Sequence, residues 1–303
     1  MAKLIVGCGY LGSRVARRWL AAGQTVYAVT RSAEHAGLLG QQGLCPIMAD
    51  VTRPDTLQRL PPAETVLYSV AYDPHSQATR DEVYAGGLRA VLDTLPASVM
   101  RILLASTTGV YGPVAGDWVD ENSPCRPTRD AGRAMLAAEA VLQTSRFADR
   151  GIILRLAGLY GPGRIPRMAD LLAGRPIAMT AQGYVNLIHV DDAAALVVAA
   201  QSRATPPRTY VVADGQPVRR RDFYQHLAAL LGLPAVNFTD PPEGDRSALR
   251  GGSDKRVRSV RIFEELGVRL AYPSYREGLA AIVARSPSPS GDDFIGDAGG
   301  TLL

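Results

Sequence analysis

Glycines at positions 7, 9 and 12 stand where an apolar run, Leu4-Ile5-Val6, gives way to an amphipathic stretch. This is the G-x-G-x-x-G spacing across a strand-to-helix turn. The first glycine permits the tight turn, the second leaves room for a pyrophosphate beside the backbone, and the third lets helix and strand pack closely. A helix start beyond them offers unpaired N–H groups and a positive dipole end to the phosphates. Gly7, Cys8, Gly9, Tyr10, Leu11 and Gly12 are therefore expected to hold a dinucleotide. An ordinary structural turn would also use glycines. The flanking strand, the amphipathic helix and a second strand over residues 25–30 favour the ligand.

The end of that second strand bears on which dinucleotide binds. Folds that bind NAD usually place Asp or Glu there, about 20 residues past the glycines, against the ribose hydroxyls. No acidic residue occurs between Ser13 and Ala33, and the position reads Thr30-Arg31-Ser32. Arg31 could pair bidentately with a 2′-phosphate, with Ser32 as a second donor, so NADP is expected ahead of NAD. A solvated surface arginine is the plainer reading. Asp50, after the third strand, is placed either to accept from the adenine amino group or to cap the turn 50–52; Val51, Val70 and Ala71 complete the expected cofactor site.

The elements that must position these residues alternate as a parallel sheet with crossover helices requires. Strands are predicted over residues 3–6, 25–30, 44–49, 65–70, 101–106 and 151–156. Helices are predicted over 11–22, 33–42, 80–95 and 127–150, with a shorter one over 55–59. The result is an α/β, doubly wound parallel-sheet Rossmann fold whose crevice lies beyond the carboxyl ends of the strands. Residues 1–160 form this dinucleotide-binding domain. Residues 161–285, richer in glycine, proline and short elements, are expected to form a smaller C-terminal substrate-binding cap. Within it, helices are predicted over 191–202, packing back on the sheet, and over 222–231 and 275–283. Residues 286–303 cannot bury much and read as a disordered tail.

The 303 residues are 47 % apolar and 20 % charged, an ordinary balance for a soluble globular protein. The net charge of +4 is spread along the chain without a dense basic run, so no nucleic-acid partner is expected. No apolar stretch has the length of a membrane span. Cys8, Cys45 and Cys125 are too few and scattered for a disulfide framework or a zinc site, so no metal and a reduced, cytoplasmic setting are expected. The basic residues are almost all arginine; the lysines are Lys3 and Lys255.

Several motifs together resemble the extended short-chain dehydrogenase/reductases, the NAD-dependent epimerase/dehydratase family. Ser106-Thr107-Thr108-Gly109-Val110-Tyr111-Gly112 is similar to its fifth-strand motif, and Leu154-Arg155-Leu156-Ala157-Gly158-Leu159-Tyr160-Gly161-Pro162-Gly163 to its sixth. Ile188-His189-Val190-Asp191-Asp192, Lys255-Arg256-Val257, Glu264-Glu265-Leu266-Gly267 and Tyr272-Pro273-Ser274-Tyr275-Arg276-Glu277-Gly278-Leu279 extend the likeness, which covers about residues 3–283. The resemblance implies chemistry by a tyrosine, with a lysine four residues later that holds the cofactor ribose and lowers the tyrosine pKa. Aligned on the family's Leu-Ala-x-Glu ending, those positions are Ala131 and Met135, and no register of the chain supplies the pair.

The chain therefore resembles an atypical member. Thr107 matches the family's substrate-polarising hydroxyl. Thr108 and Gly109 stand where the family's dehydratases carry Asp and Glu, which argues against dehydration. Leu187 stands where many relatives have Arg, which weakens the case for a nucleotide-diphosphate substrate. Tyr72 and His75, after the fourth strand, are the candidate replacement acids, since His75 can donate near neutrality. Tyr111 reads as a shape residue, Arg133 effectively never releases its proton, and His189 and Asp191 read as a structural link between sheet and cap. Two functions follow. One is an NAD(P)-binding oxidoreductase or epimerase-like enzyme acting on a small carbonyl or hydroxyl compound with a relocated proton donor. The other is a catalytically inactive NADP(H)-binding sensor or scaffold. The helices over 80–95 and 127–150 pair with a second subunit in many relatives, which implies a homodimer.

Overall fold

Alternating strand and helix builds one parallel sheet in the computed structural model, which describes residues 2–240 and 254–285. The expected tail, 286–303, lies outside the described residues. Six strands match the sequence expectation: β1 (Ala2–Val6), β2 (Thr25–Thr30), β3 (Cys45–Met48), β4 (Thr65–Tyr68), β5 (Arg101–Thr107) and, beyond the separate two-residue strand β6 (Trp118–Val119), β7 (Gly151–Leu156). A seventh, Arg208–Val212, pairs in parallel with β7 at the sheet edge and was not predicted. Its Thr-Tyr-Val-Val run carries the β-forming signal, but it falls in a region read as cap. The order is Arg208–Val212, β7, β5, β4, β1, β2, β3. Chain direction along the sheet reverses between β1 and β4, and that switch opens the crevice into which the glycine turn projects.

Both faces of the sheet are covered. On one, α3 (Gly87–Thr94) and α4 (Asp130–Thr144) bury Leu88, Val91, Met135, Ala138 and Leu142 against Leu4, Val66 and Leu104. On the other, α1 (Gly12–Ala21) and α6 (Val190–Arg203) bury Val15, Trp19, Ala194 and Val197 against Ile5, Leu67 and Leu103. α2 (Ala33–Gln41) closes the far edge through Leu39. A third apolar cluster gathers β8 (Gly158–Tyr160), α5 (Met168–Leu172), α7 (Arg220–Leu230) and the helix Tyr275–Arg285 around Tyr160, Phe223, Leu227 and Leu279.

Two predicted helices are shorter than expected. The stretch 127–150 becomes α4 followed by a 3-10 turn, Ala148–Arg150, because Ser145 turns extended and bonds its hydroxyl to the Leu142 carbonyl. The stretch 80–95 opens as a π-helical turn, Glu82–Gly86, before α3. There the Tyr68 hydroxyl donates to the Val83 carbonyl at 2.6 Å, the acceptor that an α-helix would give to Gly87. A Cβ on Gly87 would stand 2.7 Å from that same hydroxyl, so the residue has to be glycine.

Candidate functional site

The glycine turn leaves β1 with Gly7 at φ +92°, a left-handed conformation costly for any side chain. A Cβ there would also lie 2.7 Å from the Ser69–Val70 backbone, and the Ser69 hydroxyl ties the turn down by donating to the Gly7 carbonyl at 2.8 Å. A Cβ on Gly12 would lie 2.6 Å from that carbonyl. Gly9 differs, for a Cβ there meets nothing within 4 Å and the residue is exposed. Two of the glycines thus serve packing, and the third faces open space. No side chain caps the start of α1 and its first turn holds no acid. The helix start is thus left to backbone groups alone, an arrangement that favours a phosphate.

The cavity beyond this turn is lined by Gly7, Cys8, Gly9, Tyr10, Leu11, Arg31, Asp50, Val51, Val70 and Ala71. Those ten expected cofactor residues therefore converge. Gly12 sits behind the turn. Ser32 also stays outside the lining, because its hydroxyl caps α2 by accepting from the His35 N–H at 3.2 Å. His35 lines the cavity in its place, hydrogen-bonded to the Thr30 hydroxyl at 3.2 Å. Arg31 is half exposed and reaches Asp73, another lining residue, at 3.4 Å. Asp50 caps its turn, one carboxylate oxygen accepting from the Thr52 N–H and hydroxyl, and the residue also borders the cavity. Sequence reading also missed Leu159 and Arg164, which enter the lining from beyond β7. Cys8 is buried and its thiol pKa is pushed up to about 12 by burial, which makes it unreactive.

At the end of β5 the Thr107 hydroxyl accepts from the Gly109 N–H at 3.1 Å, capping the turn Thr108–Tyr111. α4 packs directly on that turn, since a Cβ on Gly132 would stand 2.6 Å from the Gly109 carbonyl. Ala131 is half-buried there, and Met135 is buried in the sheet-facing core. Behind them Glu139 and Arg155 form a bidentate pair, Nε to Oε1 at 3.0 Å and Nη2 to Oε2 at 2.7 Å. Ser106 donates to the same carboxylate, and Arg155 donates to the Tyr111 hydroxyl at 3.0 Å. Burial pushes the Tyr111 pKa well up, so this phenol keeps its proton and acts as a fixed acceptor.

The expected acids lie apart from this network. Tyr72 is half-buried with the Arg80 guanidinium 4.0 Å above its ring, and His75 is exposed on the turn held by Asp73. Neither lines the cavity, although their neighbours Ala71 and Asp73 do. His189 is buried, lies 3.9 Å from the Tyr272 ring, and accepts from the Asp191 N–H. Asp192 takes the Ala271 and Tyr272 N–H groups at 2.8 and 2.9 Å, so this motif joins α6 to the C-terminal segment. Lys255 is buried beside the β5 turn, its ammonium 3.4 Å from the Gly112 carbonyl. Burial and then the Arg129 charge lower its pKa to about 8. Among the described residues no cluster of His, Cys, Asp or Glu could hold a metal, and no helix is long and apolar enough to cross a membrane.

Comparison with known proteins decides the family. The NAD dependent epimerase/dehydratase family model matches residues 4–213. The chain belongs to that family. It is 29 % identical over 275 residues to the Escherichia coli protein YeeZ, covering 89 % of this chain and 95 % of that one. A solved Methylobacillus flagellatus structure, given provisionally as an NAD-dependent epimerase/dehydratase, shares 33 % identity at a TM-score of 0.76, covering 93 % and 97 %. A Stigmatella aurantiaca ketoreductase of a farnesylated dihydroquinoline oxide is 25 % identical over 261 residues, covering 81 % of this chain and 78 % of that one.

Proposed function

We propose that this chain is an NADP-dependent oxidoreductase acting on a small carbonyl or hydroxyl compound, with a proton donor other than the residue at position 131. The observation that carries the reading is the open approach over Gly9, framed by uncapped helix N–H groups and bordered by Arg31. The residues present fit a dinucleotide. The backbone of residues 7–12 would hold the diphosphate, Asp50 and Val51 would border the adenine, and Arg31 would take the 2′-phosphate once drawn from Asp73. The bound nicotinamide supplies or accepts the hydride. Thr107 would orient the substrate oxygen. A proton must still reach that oxygen, and Tyr72 or His75, after β4, are the donors proposed. The likeness to a ketoreductase supports a carbonyl substrate.

Ala131 and the buried Met135 favour a second reading, a nucleotide-binding sensor or scaffold without turnover. Following NADPH absorbance across a panel of ketones and aldehydes separates the two. Turnover that is lost in His75→Ala or Tyr72→Phe supports the enzyme and its donor. Tight NADPH binding without turnover on any carbonyl supports the sensor.

A further inference from the structure

The cavity holds a cation that the glycine turn does not supply. Arg164 lies on the turn 161–164, which closes on itself through the Arg164 N–H to Gly161 carbonyl bond at 2.9 Å and the reverse bond at 3.1 Å. This turn is seated on Tyr10 of the glycine motif. The Tyr10 hydroxyl donates to the Pro162 carbonyl at 3.2 Å, and a Cβ on Gly161 would lie 2.7 Å from that hydroxyl. The Arg164 guanidinium stands 5.0 Å from the centre of the Tyr10 ring, and the residue lines the same cavity as Gly7–Leu11.

Two other cations stand nearby. Arg14 also lies over Tyr10, but it is paired with Asp191 at 3.0 Å and is not part of the lining. Arg31 stands at the end of β2 against Asp73. A dinucleotide brings a diphosphate with two negative charges to a turn that offers backbone N–H groups alone. A guanidinium suits such a group because its planar fork can donate two hydrogen bonds.

We propose that Arg164 is a cofactor-binding residue that engages the diphosphate, so that cofactor binding fastens the turn 161–164 over the cavity. The inference rests on the dinucleotide reading above, and it makes the first turn beyond the sheet a sensor of whether the site is filled. Substrate would then meet a closed turn only after the cofactor is in place.

The test is calorimetric titration of wild type, Arg164→Gln, Arg164→Lys and Arg31→Gln with NADPH, NADH, ADP-ribose and adenosine 2′-monophosphate. Arg164→Gln is expected to weaken NADPH, NADH and ADP-ribose alike, each by about tenfold, and to leave the monophosphate unchanged. Arg164→Lys should recover part of that loss, and Arg31→Gln should weaken only the ligands that carry a 2′-phosphate. Unchanged affinities in Arg164→Gln overturn the proposal while leaving the dinucleotide reading in place. A loss confined to NADPH overturns it too, by assigning Arg164 to the 2′-phosphate, and an equal loss for all four ligands reduces the residue to a structural role. Wild-type protein that binds none of them overturns both readings.

Discussion

The turns at the ends of β1 and β5 are held by opposite means. The β1 turn is shaped by missing atoms, with Gly7 and Gly12 pressed on backbone and Gly9 left open. The β5 turn is shaped by charge, for Glu139 and Arg155 lock Ser106 and Tyr111 into one buried network. A ligand can therefore approach the first turn through its backbone, whereas the second is a buried network whose neighbouring Thr107 hydroxyl caps the turn Thr108–Tyr111. The difference separates two things that one motif scan would merge. Cofactor binding needs space and N–H groups; proton transfer needs an ionisable side chain at a set place, and Ala131, which the sequence resemblance aligns with the family's tyrosine, carries a methyl group.

The sharpest break in that contrast is Glu139→Ala. It leaves the Arg155 guanidinium buried without its partner, and about 3–5 kcal/mol of stability should be lost, measured by urea unfolding. A loss below about 1 kcal/mol would show that the β5 turn does not depend on the pair. At the other turn, Gly7→Ala should cost about 3 kcal/mol, since it combines a left-handed φ with a Cβ pressed on the Ser69 carbonyl. Gly9→Ala should do the reverse: melting unchanged, with NADPH affinity reduced by about a hundredfold. If Gly9→Ala binds normally, the phosphates do not pass over that residue.

A smaller effect tests the sheet edge near these turns. Burial raises the Asp214 carboxyl from its ordinary 3.8 to about 7, and its Oδ2 has no partner among the described residues. The folded state then holds a proton that the unfolded chain releases near pH 4. Stability from this group is full below about pH 4 and is lost as the pH rises towards 7. Asp214→Asn should raise the melting temperature by about 4 °C more at about pH 8 than at about pH 4. An equal shift at both pH values would show that the carboxyl ionises normally. The smallest effect is expected at Arg31→Ala, a loss of about tenfold for NADPH with none for NADH.

What the sequence showed and what it hid follow the same contrast. The β1 turn, α1 and β2 lie close together in the chain, so glycine spacing and apolar periodicity were enough to place them. The α4 boundary was missed because Ser145 ends the helix through its own hydroxyl, which periodicity does not register. The Glu139–Arg155 pair joins residues on different elements, and no local pattern marks it as buried. Ser32 suits a cofactor donor by residue type alone, whereas in the fold its hydroxyl caps α2 and His35 lines the cavity. Arg164 reaches the cavity from a loop beyond the sheet, so only the folded arrangement shows it there.

Calorimetric titration of the purified chain with NADPH and NADH bears most directly on the claim that the β1 turn is a dinucleotide site. Micromolar binding of NADPH, about tenfold tighter than NADH, is the outcome expected from the open Gly9 backbone and from Arg31. Absence of heat with both nucleotides, at concentrations up to about a millimolar, would contradict it.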